Sequence, residues 1–585
     1  MDLQWNLSEL FESNDAFYKQ ADQIRKLINA ILKYEHITLD ENSLLELLDE
    51  KWKIKELTNN ILVYGSLMYY KNVNSKECIE LKTFAENFKN EIDLKLSFID
   101  NKILELGKEK VEDFLIKNPK LKTYQLSLDN LFRMQQHVQT STINEKLTQN
   151  ENEINTKIQL YNNTVKAINY GEIEIEDKTI ELTSSNFVKY LASRNRDTRK
   201  QTYLVVNDAF KKLQEQFADI LDSIMGYRIE SATLEGYTSV LEKVLFEEVI
   251  DPKIIETLIK TVNKNLSLLQ RYLKLKTNVL NIKDPHLYDF GVPFDSHINK
   301  KYSFEEAIEI IKKALEPLGK KYLEVIDKLL DGHIDAILDE NKHQTITFSW
   351  HTYSFLIFRG AYNDIKNMIH ELGHIVNYYL SKNNVPYIYE DSTVFVGETA
   401  SIVNEILLNR YLYEQAETNE EKIFYLSKGI ENYFTSVFKQ TLNTEFENEL
   451  YQSKLDGSLT PEICSSKYGS LIKKYYGENI IYDEDFDIEW TRIGQIYRWR
   501  YYPYKYATGL IMASVVVNSL IDEHTLSKEE YLKFLSLGSS LNSLDLLKML
   551  HIDLTDSNII KNGFKPMEKD IDKLEEILSS IKESQ

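Results

Sequence analysis

Residues 365–380, IKNMIHELGHIVNYYL, place two of the chain's eleven histidines four residues apart. On a helix, residues i and i+4 lie one turn apart on the same face, so His370 and His374 could both reach one Zn²⁺ at about 2.0–2.1 Å. Glu371 is rotated by roughly 100° from His370 and could stand beside the metal as a general base. A lone histidine on a polar helix face would be an ordinary solvated residue. In a chain this poor in histidine, the complete HExxH pattern arises by chance in roughly a few per cent of cases and favours a zinc site.

A catalytic zinc site needs a third protein ligand, which the segment YEDSTVFVGETASIVNEILLNRYLY can supply. Its periodicity predicts a second helix that begins near Val396, with Glu398 and Glu405 almost on one face. The loop 381–395 is long enough for this helix to fold back beside the first. We expect Glu398 to be the third ligand and Glu405 to orient a ligating imidazole. Taken alone, Glu398 could instead be a glutamate favoured by the helix dipole.

The elements that must position these residues are mostly helices. Nine prolines and nineteen glycines in 585 residues leave few helix breakers, so the chain is predicted to be mostly α. Residues 171–182 alternate apolar and charged side chains and predict a small hairpin, and 344–358 is the strand region expected beside the histidines. Gly373, inside the first helix, indicates that another element approaches its backbone closely. We expect an N-terminal helical lobe, 1–195, and a larger C-terminal lobe, 196–585.

Charge, cysteine spacing and hydropathy argue against several kinds of partner and site. The net charge of −21 argues against a nucleic-acid partner, because phosphate would be repelled. The two cysteines, Cys78 and Cys464, lie far apart and predict neither a disulfide framework nor a cysteine-ligated metal. The N-terminus lacks the pattern of a signal peptide, and the most apolar run, 507–520, is too short to span a membrane. We therefore expect a cytoplasmic protein with no membrane partner.

The pair HELGH and FVGETASIVNE resembles the thimet oligopeptidase and oligoendopeptidase F family of zinc metallopeptidases, and within it the oligoendopeptidase F branch. The likeness runs nearly end to end, through WNLSELF, YGSLMYYKNVNSKE, LASRNRDTRKQTY and YPYKYATG. It implies a mostly helical two-lobed shell around a deep channel, with a small β-sheet beside the zinc helix. It also implies an oligoendopeptidase F-type N-terminal domain, 1–195, a catalytic domain, 196–585, and short unstructured peptides as substrates.

The resemblance also implies roles for single residues. His370, His374 and Glu398 would hold one Zn²⁺ per chain, and Glu371 would be the general base and acid. Tyr504 would supply a catalytic hydroxyl, although core packing is the better explanation for most of the neighbouring tyrosines. Tyr501 and Tyr502 would line the substrate channel. The chain departs from the family at Gln495, where relatives carry a histidine, and at Ile357, where they carry an asparagine.

Two other functions remain open from the sequence. A peptide-binding protein without catalysis could keep the same shell, and the Gln495 position is its only support. A carboxydipeptidase related to angiotensin-converting enzymes would need a cation to hold the substrate carboxylate, and the sequence does not locate one. For the peptidase, we expect a monomer or a weak homo-oligomer.

Overall fold

The computed structural model describes residues 3–294, 300–342 and 347–584. Helices take up 73% of the chain and the sheets are small, so the prediction of a mostly α protein is confirmed. Many helices begin at a side-chain cap, as Ser13, Asp40 and Ser303 illustrate by accepting backbone N–H bonds from the first turn.

The elements follow one another in this order. The first part contains α1 Asn14–Ile31, α2 Glu41–Lys71, α3 Lys76–Leu96, α4 Phe98–Leu106, α5 Lys108–Lys117, α6 Gln125–Gln135, α7 Ser141–Ala167, β1 Glu172–Ile175, β2 Lys178–Glu181, α8 Phe187–Leu191, α9 Arg196–Lys211, α10 Gln214–Leu234, α11 Val240–Glu247, α12 Lys253–Lys264 and α13 Leu266–Val279. The second part contains α14 Phe304–Leu315, α15 Lys320–Leu329, β3 Ile334–Asp335, β4 Phe348–Trp350, β5 Tyr353–Phe355, α16 Tyr362–Lys382, α17 Val394–Glu414, α18 Asn419–Tyr433, α19 Lys439–Asp456, α20 Pro461–Tyr476, α21 Gly494–Arg498, α22 Pro503–Val517, α23 Lys528–Leu535, α24 Ser543–Met549, α25 Ser557–Asn562 and α26 Lys565–Ser584.

The chain divides into two compact units, each assembled from three segments. The first unit comprises Met1–Val138, Asn299–Leu408 and Glu523–Leu550, and the second comprises Gln139–Ile298, Asn409–Asp522 and His551–Gln585. Each unit therefore draws on both halves of the sequence. The functional boundary at residue 195 stays a prediction.

A three-stranded sheet in the first unit lies against the N-terminal helices. The strand order is β3-β5-β4, with β3 parallel and β4 antiparallel to β5. Tyr353 and Phe355 of β5 belong to the hydrophobic core built from α1 to α6, and Phe348 and Trp350 of β4 pack against that core. Because side chains alternate along a strand, Ser349 and its register partner Ser354 lie on the opposite face. The predicted strand region is thus a hairpin, and its positions 344–346 lie outside the described residues.

The second unit contains the other predicted hairpin. Strands β1 and β2 pair antiparallel, and Glu176 and Asp177 turn between them with positive φ angles of 49° and 60°. The helix that contains the apolar run 507–520 is longer than the run itself. It begins at Pro503 with α22 and continues through a π-helical turn to Asp522. Within the described residues, this is the one helix with the length and composition of a membrane span, and 83% of the span is buried inside the protein.

Candidate metal centre

Helix α16 carries the HExxH residues and is held at its N-terminus and along its apolar face. The Asp364 carboxylate accepts the backbone N–H groups of Arg359 and Ala361 just before the first turn, at 2.8 and 2.9 Å. An apolar stripe along the helix is buried, and it consists of Ile365, Met368, Ile369, Leu372, Ile375 and Val376. His370 and His374 lie outside that stripe and are half-buried. The histidine face is therefore shielded without being part of the core.

Helix α17 lies directly against α16. A Cβ atom built on Gly373 would be 2.5 Å from the Cα of Ser401 and 2.8 Å from its backbone nitrogen. The side chain of Asn404 donates to the carbonyl of Ile369 at 3.2 Å, and the Tyr322 hydroxyl donates to the same asparagine at 3.0 Å. The close approach expected at the mid-helix glycine is thus the crossing of these two helices.

This crossing brings three donor side chains together. Nε2 of His370 lies 3.2 Å from Nε2 of His374, and Glu398 Oε2 lies 3.5 and 3.7 Å from those two nitrogens. A tetrahedral ion with bonds of about 2.0–2.2 Å has ligand-to-ligand edges of roughly 3.3–3.6 Å. The donor set therefore fits one small cation, and it leaves a tetrahedral position without a protein ligand. It is the one such His, Cys, Asp or Glu group in the part of the chain that the structure describes.

Glu405 fixes the orientation of one imidazole. Nδ1 of His370 lies 2.6 Å from Glu405 Oε1, and the other oxygen of this carboxylate lies 3.0 Å from Lys366 Nζ. Burial alone would raise the pKa of Glu405, but the hydrogen bond from His370 and the charge of Lys366 hold it below its usual value. An ionised carboxylate can only accept, so Nδ1 carries the proton and the Nε2 lone pair is left for a metal.

The two histidines have different proton affinities. Burial lowers the pKa of His374 to about 3, with the neighbouring His370 acting in the same direction. Burial also acts against a charged His370, but the hydrogen bond and charge of Glu405 raise its pKa overall. A neutral imidazole is the form that binds a metal, and His374 is already held in that form.

Glu371 lies beside the donor set and is not one of the three donors. Its side chain is buried, and Oε2 accepts a hydrogen bond of 2.5 Å from the Ser349 hydroxyl on β4. Burial raises the pKa of this carboxyl, while the Ser349 hydrogen bond and His370 oppose the rise. A carboxylate with a pKa moved toward neutrality is suited both to accept and to return a proton. Sequence reasoning missed Ser349, because strand alternation identifies a face but not the residue that the face meets.

The predicted substrate-binding residues lie in the second unit. Tyr504 is fully buried, and its hydroxyl donates to Glu248 Oε2 at 3.2 Å. Tyr501 is also buried, has a positive φ of 46°, and its backbone N–H donates to Glu447 Oε1 at 2.8 Å. Tyr502 is half-buried and lines a cavity of about 560 Å³ together with Glu248. These contacts place the tyrosines near acidic side chains, a feature that the sequence did not indicate.

Gln495 and Ile357 mark the two departures from the family pattern. Gln495 is half-buried on the short helix α21. The carbonyls of Ile496 and Tyr497 in this helix accept hydrogen bonds from the buried Arg228 guanidinium. Ile357 follows β5 in the first unit, where its side chain joins the N-terminal core. Its backbone N–H donates to the Thr347 hydroxyl at 3.2 Å. The apolar side chain itself is used for packing.

Comparisons with known proteins show that the chain is similar to peptidases over most of its length. The sequence pattern of peptidase family M3 matches residues 189–565. The chain is 28% identical to the oligopeptidase PepF of Bacillus subtilis over 593 residues, covering 99% of this chain and 88% of that protein. It is also 28% identical to an oligoendopeptidase F homolog of Borreliella burgdorferi, covering 95% of each.

Solved structures agree on the fold. A crystal structure of a candidate peptidase from Chlamydophila abortus superposes with a TM-score of 0.91 at 26% identity, covering 98% of both chains. An oligoendopeptidase F from Enterococcus faecium superposes with a TM-score of 0.73 at 23% identity, covering 97% of this chain and 99% of that one.

Proposed function

The chain belongs to peptidase family M3, a family of metallopeptidases, and on that premise we propose that it is a zinc-dependent endopeptidase of short, unstructured peptides. The family membership itself means hydrolysis of peptide bonds. The proposal adds the metal, the residues that hold it, the proton carrier and the substrate class.

One observation carries the proposal. Three donors of the types that catalytic zinc sites use, two imidazoles and one carboxylate, lie 3.2–3.7 Å apart, with a further buried carboxylate next to them. His370, His374 and Glu398 would hold one Zn²⁺ per chain, and Glu405 would keep His370 in the tautomer that binds it. Glu371 is free of that task and is available for proton transfer.

Zinc bound there would supply Lewis-acid chemistry, polarising the scissile carbonyl and making water a stronger nucleophile near neutral pH. Glu371 accepts the proton of the attacking water and then delivers it to the nitrogen of the departing amine. The same carboxylate is therefore base in the first step and acid in the second. Burial raises the pKa of Glu371, which favours the second step, in which the carboxyl returns a proton.

The roles of Tyr504, Tyr501, Tyr502 and Gln495 are proposed from the family likeness. Tyr504 would donate a hydrogen bond to the oxygen of the tetrahedral intermediate, which requires its hydroxyl to turn away from Glu248. Tyr501, Tyr502 and Gln495 would contact the substrate. We propose residues 1–195 as the N-terminal domain and 196–585 as the catalytic domain.

Blocked peptides separate this function from a carboxydipeptidase. A quenched fluorescent peptide of about ten residues would be offered with free ends and with an acetylated N-terminus and an amidated C-terminus. Internal cleavage of both forms at similar rates supports the endopeptidase. Release of C-terminal dipeptides from the free form alone would favour the carboxydipeptidase, and binding without cleavage of either form would favour a peptide-binding protein.

A further inference from the structure

The Ser349 hydroxyl donates a hydrogen bond to the Glu371 carboxylate. Its oxygen is 2.5 Å from Glu371 Oε2 and 3.3 Å from the backbone carbonyl oxygen of the same residue. Hydrogen bonds from a hydroxyl to an ionised carboxylate are typically about 2.5–2.7 Å long and roughly twice as strong as neutral ones. The Ser349 hydroxyl therefore donates its hydrogen bond to Oε2 of the carboxylate, and the contact with the carbonyl oxygen is secondary.

The hydroxyl is carried by strand β4, which is paired with β5. Ser349 is the middle residue of β4, opposite Ser354 of β5, and the flanking Phe348 and Trp350 pack against the N-terminal core. Strand alternation then directs Ser349 to the face that meets α16. The serine is thus fixed by backbone pairing and by its neighbours' packing, independently of the helix that carries Glu371.

Such a contact determines which of the two carboxylate oxygens of a glutamate takes part in proton transfer. The last torsion of its side chain is broad and roughly two-fold, so either carboxylate oxygen can face the substrate. A misplacement of about 1 Å in a reacting group can lower a rate by roughly 10²-fold. A fixed donor on one oxygen removes that freedom and leaves the other oxygen to face the attacking water.

We propose that Ser349 is a positioning residue that holds Oε2 of Glu371 so that Oε1 accepts the proton of the attacking water. The proton passes from water to Oε1 and later from Glu371 to the leaving amine, while Ser349 keeps its own proton throughout. This inference rests on the proposed function of Glu371.

The test is kinetic and uses the whole zinc-loaded enzyme. For Ser349→Ala we expect kcat to fall roughly 10- to 100-fold, the range that corresponds to losing one hydrogen bond to a charged group. KM should stay within about twofold and the zinc dissociation constant, measured by chelator competition, should not change, because neither substrate binding nor the metal ligands are altered. Ser349→Thr keeps a hydroxyl on a strand and should recover most of kcat. The matched control is Ser354→Ala, which removes the neighbouring hydroxyl on the same face and should leave kcat unchanged.

The double variant distinguishes positioning from a general structural effect. In a Glu371→Gln background, Ser349→Ala should cause little further loss of kcat, since the group that it positions no longer transfers protons. An unchanged kcat in Ser349→Ala, a change in zinc affinity, or an equal loss in both backgrounds would overturn the inference. If Glu371→Gln were itself fully active, the proposed function would fail first, and the two failures are thereby separated.

Discussion

Gly373 and Ser401 touch through their backbones: a Cβ atom on Gly373 would be only 2.5 Å from the Cα of Ser401. This contact sets the distance between α16, which carries the two histidines, and α17, which carries Glu398 and Glu405. The separation of the proposed ligands therefore depends on a glycine that is not itself a ligand.

Gly373→Ala should consequently damage both stability and metal binding. Alanine would gain about 1 kcal/mol of helix propensity, but the clash is with backbone atoms that cannot rotate away, and overpacking of this kind typically costs about 1–3 kcal/mol. We expect a lower Tm and weaker zinc binding, measured by thermal denaturation and chelator competition. Gly457→Ala is the control, because a Cβ atom there would have no described atom within 4 Å. Equal behaviour of the two variants would show that the crossing is not tight.

Two glutamate variants separate ligand from base. Glu398→Gln should lose zinc affinity, because a neutral amide oxygen is a poorer ligand than a carboxylate. Glu371→Gln should keep the metal yet lose roughly 10²–10⁴-fold in kcat, because only proton transfer is removed. Zinc content and kcat measured together on both proteins decide the matter. Equal zinc retention with equal loss of activity would show that the roles are misassigned.

Glu405→Gln should weaken zinc binding about 10- to 100-fold, the usual effect of removing the group that orients a ligating histidine. The reason is that a neutral amide no longer selects the His370 tautomer with its proton on Nδ1. Lys366→Met should act in the same direction but less strongly, because it removes only the cation 3.0 Å from the far oxygen of Glu405. Competition with a fluorescent chelator gives both values, and a larger effect for Lys366→Met would contradict this order.

Tyr504→Phe should lower kcat by roughly 10²–10³-fold, the effect of removing one oxyanion donor, while zinc content stays the same. KM should move much less, because the charge on the oxygen develops only during the reaction. Tyr497→Phe is a matched control, since its buried hydroxyl has no hydrogen-bond partner among the residues that the structure describes, and its loss should be neutral or stabilising. An unaltered kcat in Tyr504→Phe would show that this hydroxyl takes no part in the reaction.

Local patterns in the sequence predict the grouping of His370, His374 and Glu398, whose donor atoms the structure brings within 4.8 Å of one another. The HExxH spacing fixes the histidines on one helix face, and Glu398 and Glu405 share a face of the next helix, so only one helix crossing had to be inferred. Gly373 supplied a signal for that crossing. The fold class follows likewise from the shortage of helix breakers.

Contacts between distant segments could not be predicted in the same way. Ser349 meets Glu371 only because a strand 22 residues upstream packs on helix α16. Glu248 meets Tyr504 across 256 residues, and no periodicity relates the two positions. The two compact units are similarly assembled from three segments each, and that assembly depends on packing rather than on any linker composition.

The metal requirement is the most direct test of the proposal that the protein is a zinc-dependent peptidase. Purified protein would be freed of metal with phenanthroline, dialysed, and titrated with zinc while cleavage of the ten-residue quenched peptide is followed. We expect no cleavage without metal, and activity that rises until one zinc is bound per chain and then levels off. The same titration of His374→Ala, which lacks one of the three donors, should show neither tight binding nor recovery. Full activity in metal-free protein would contradict the central claim.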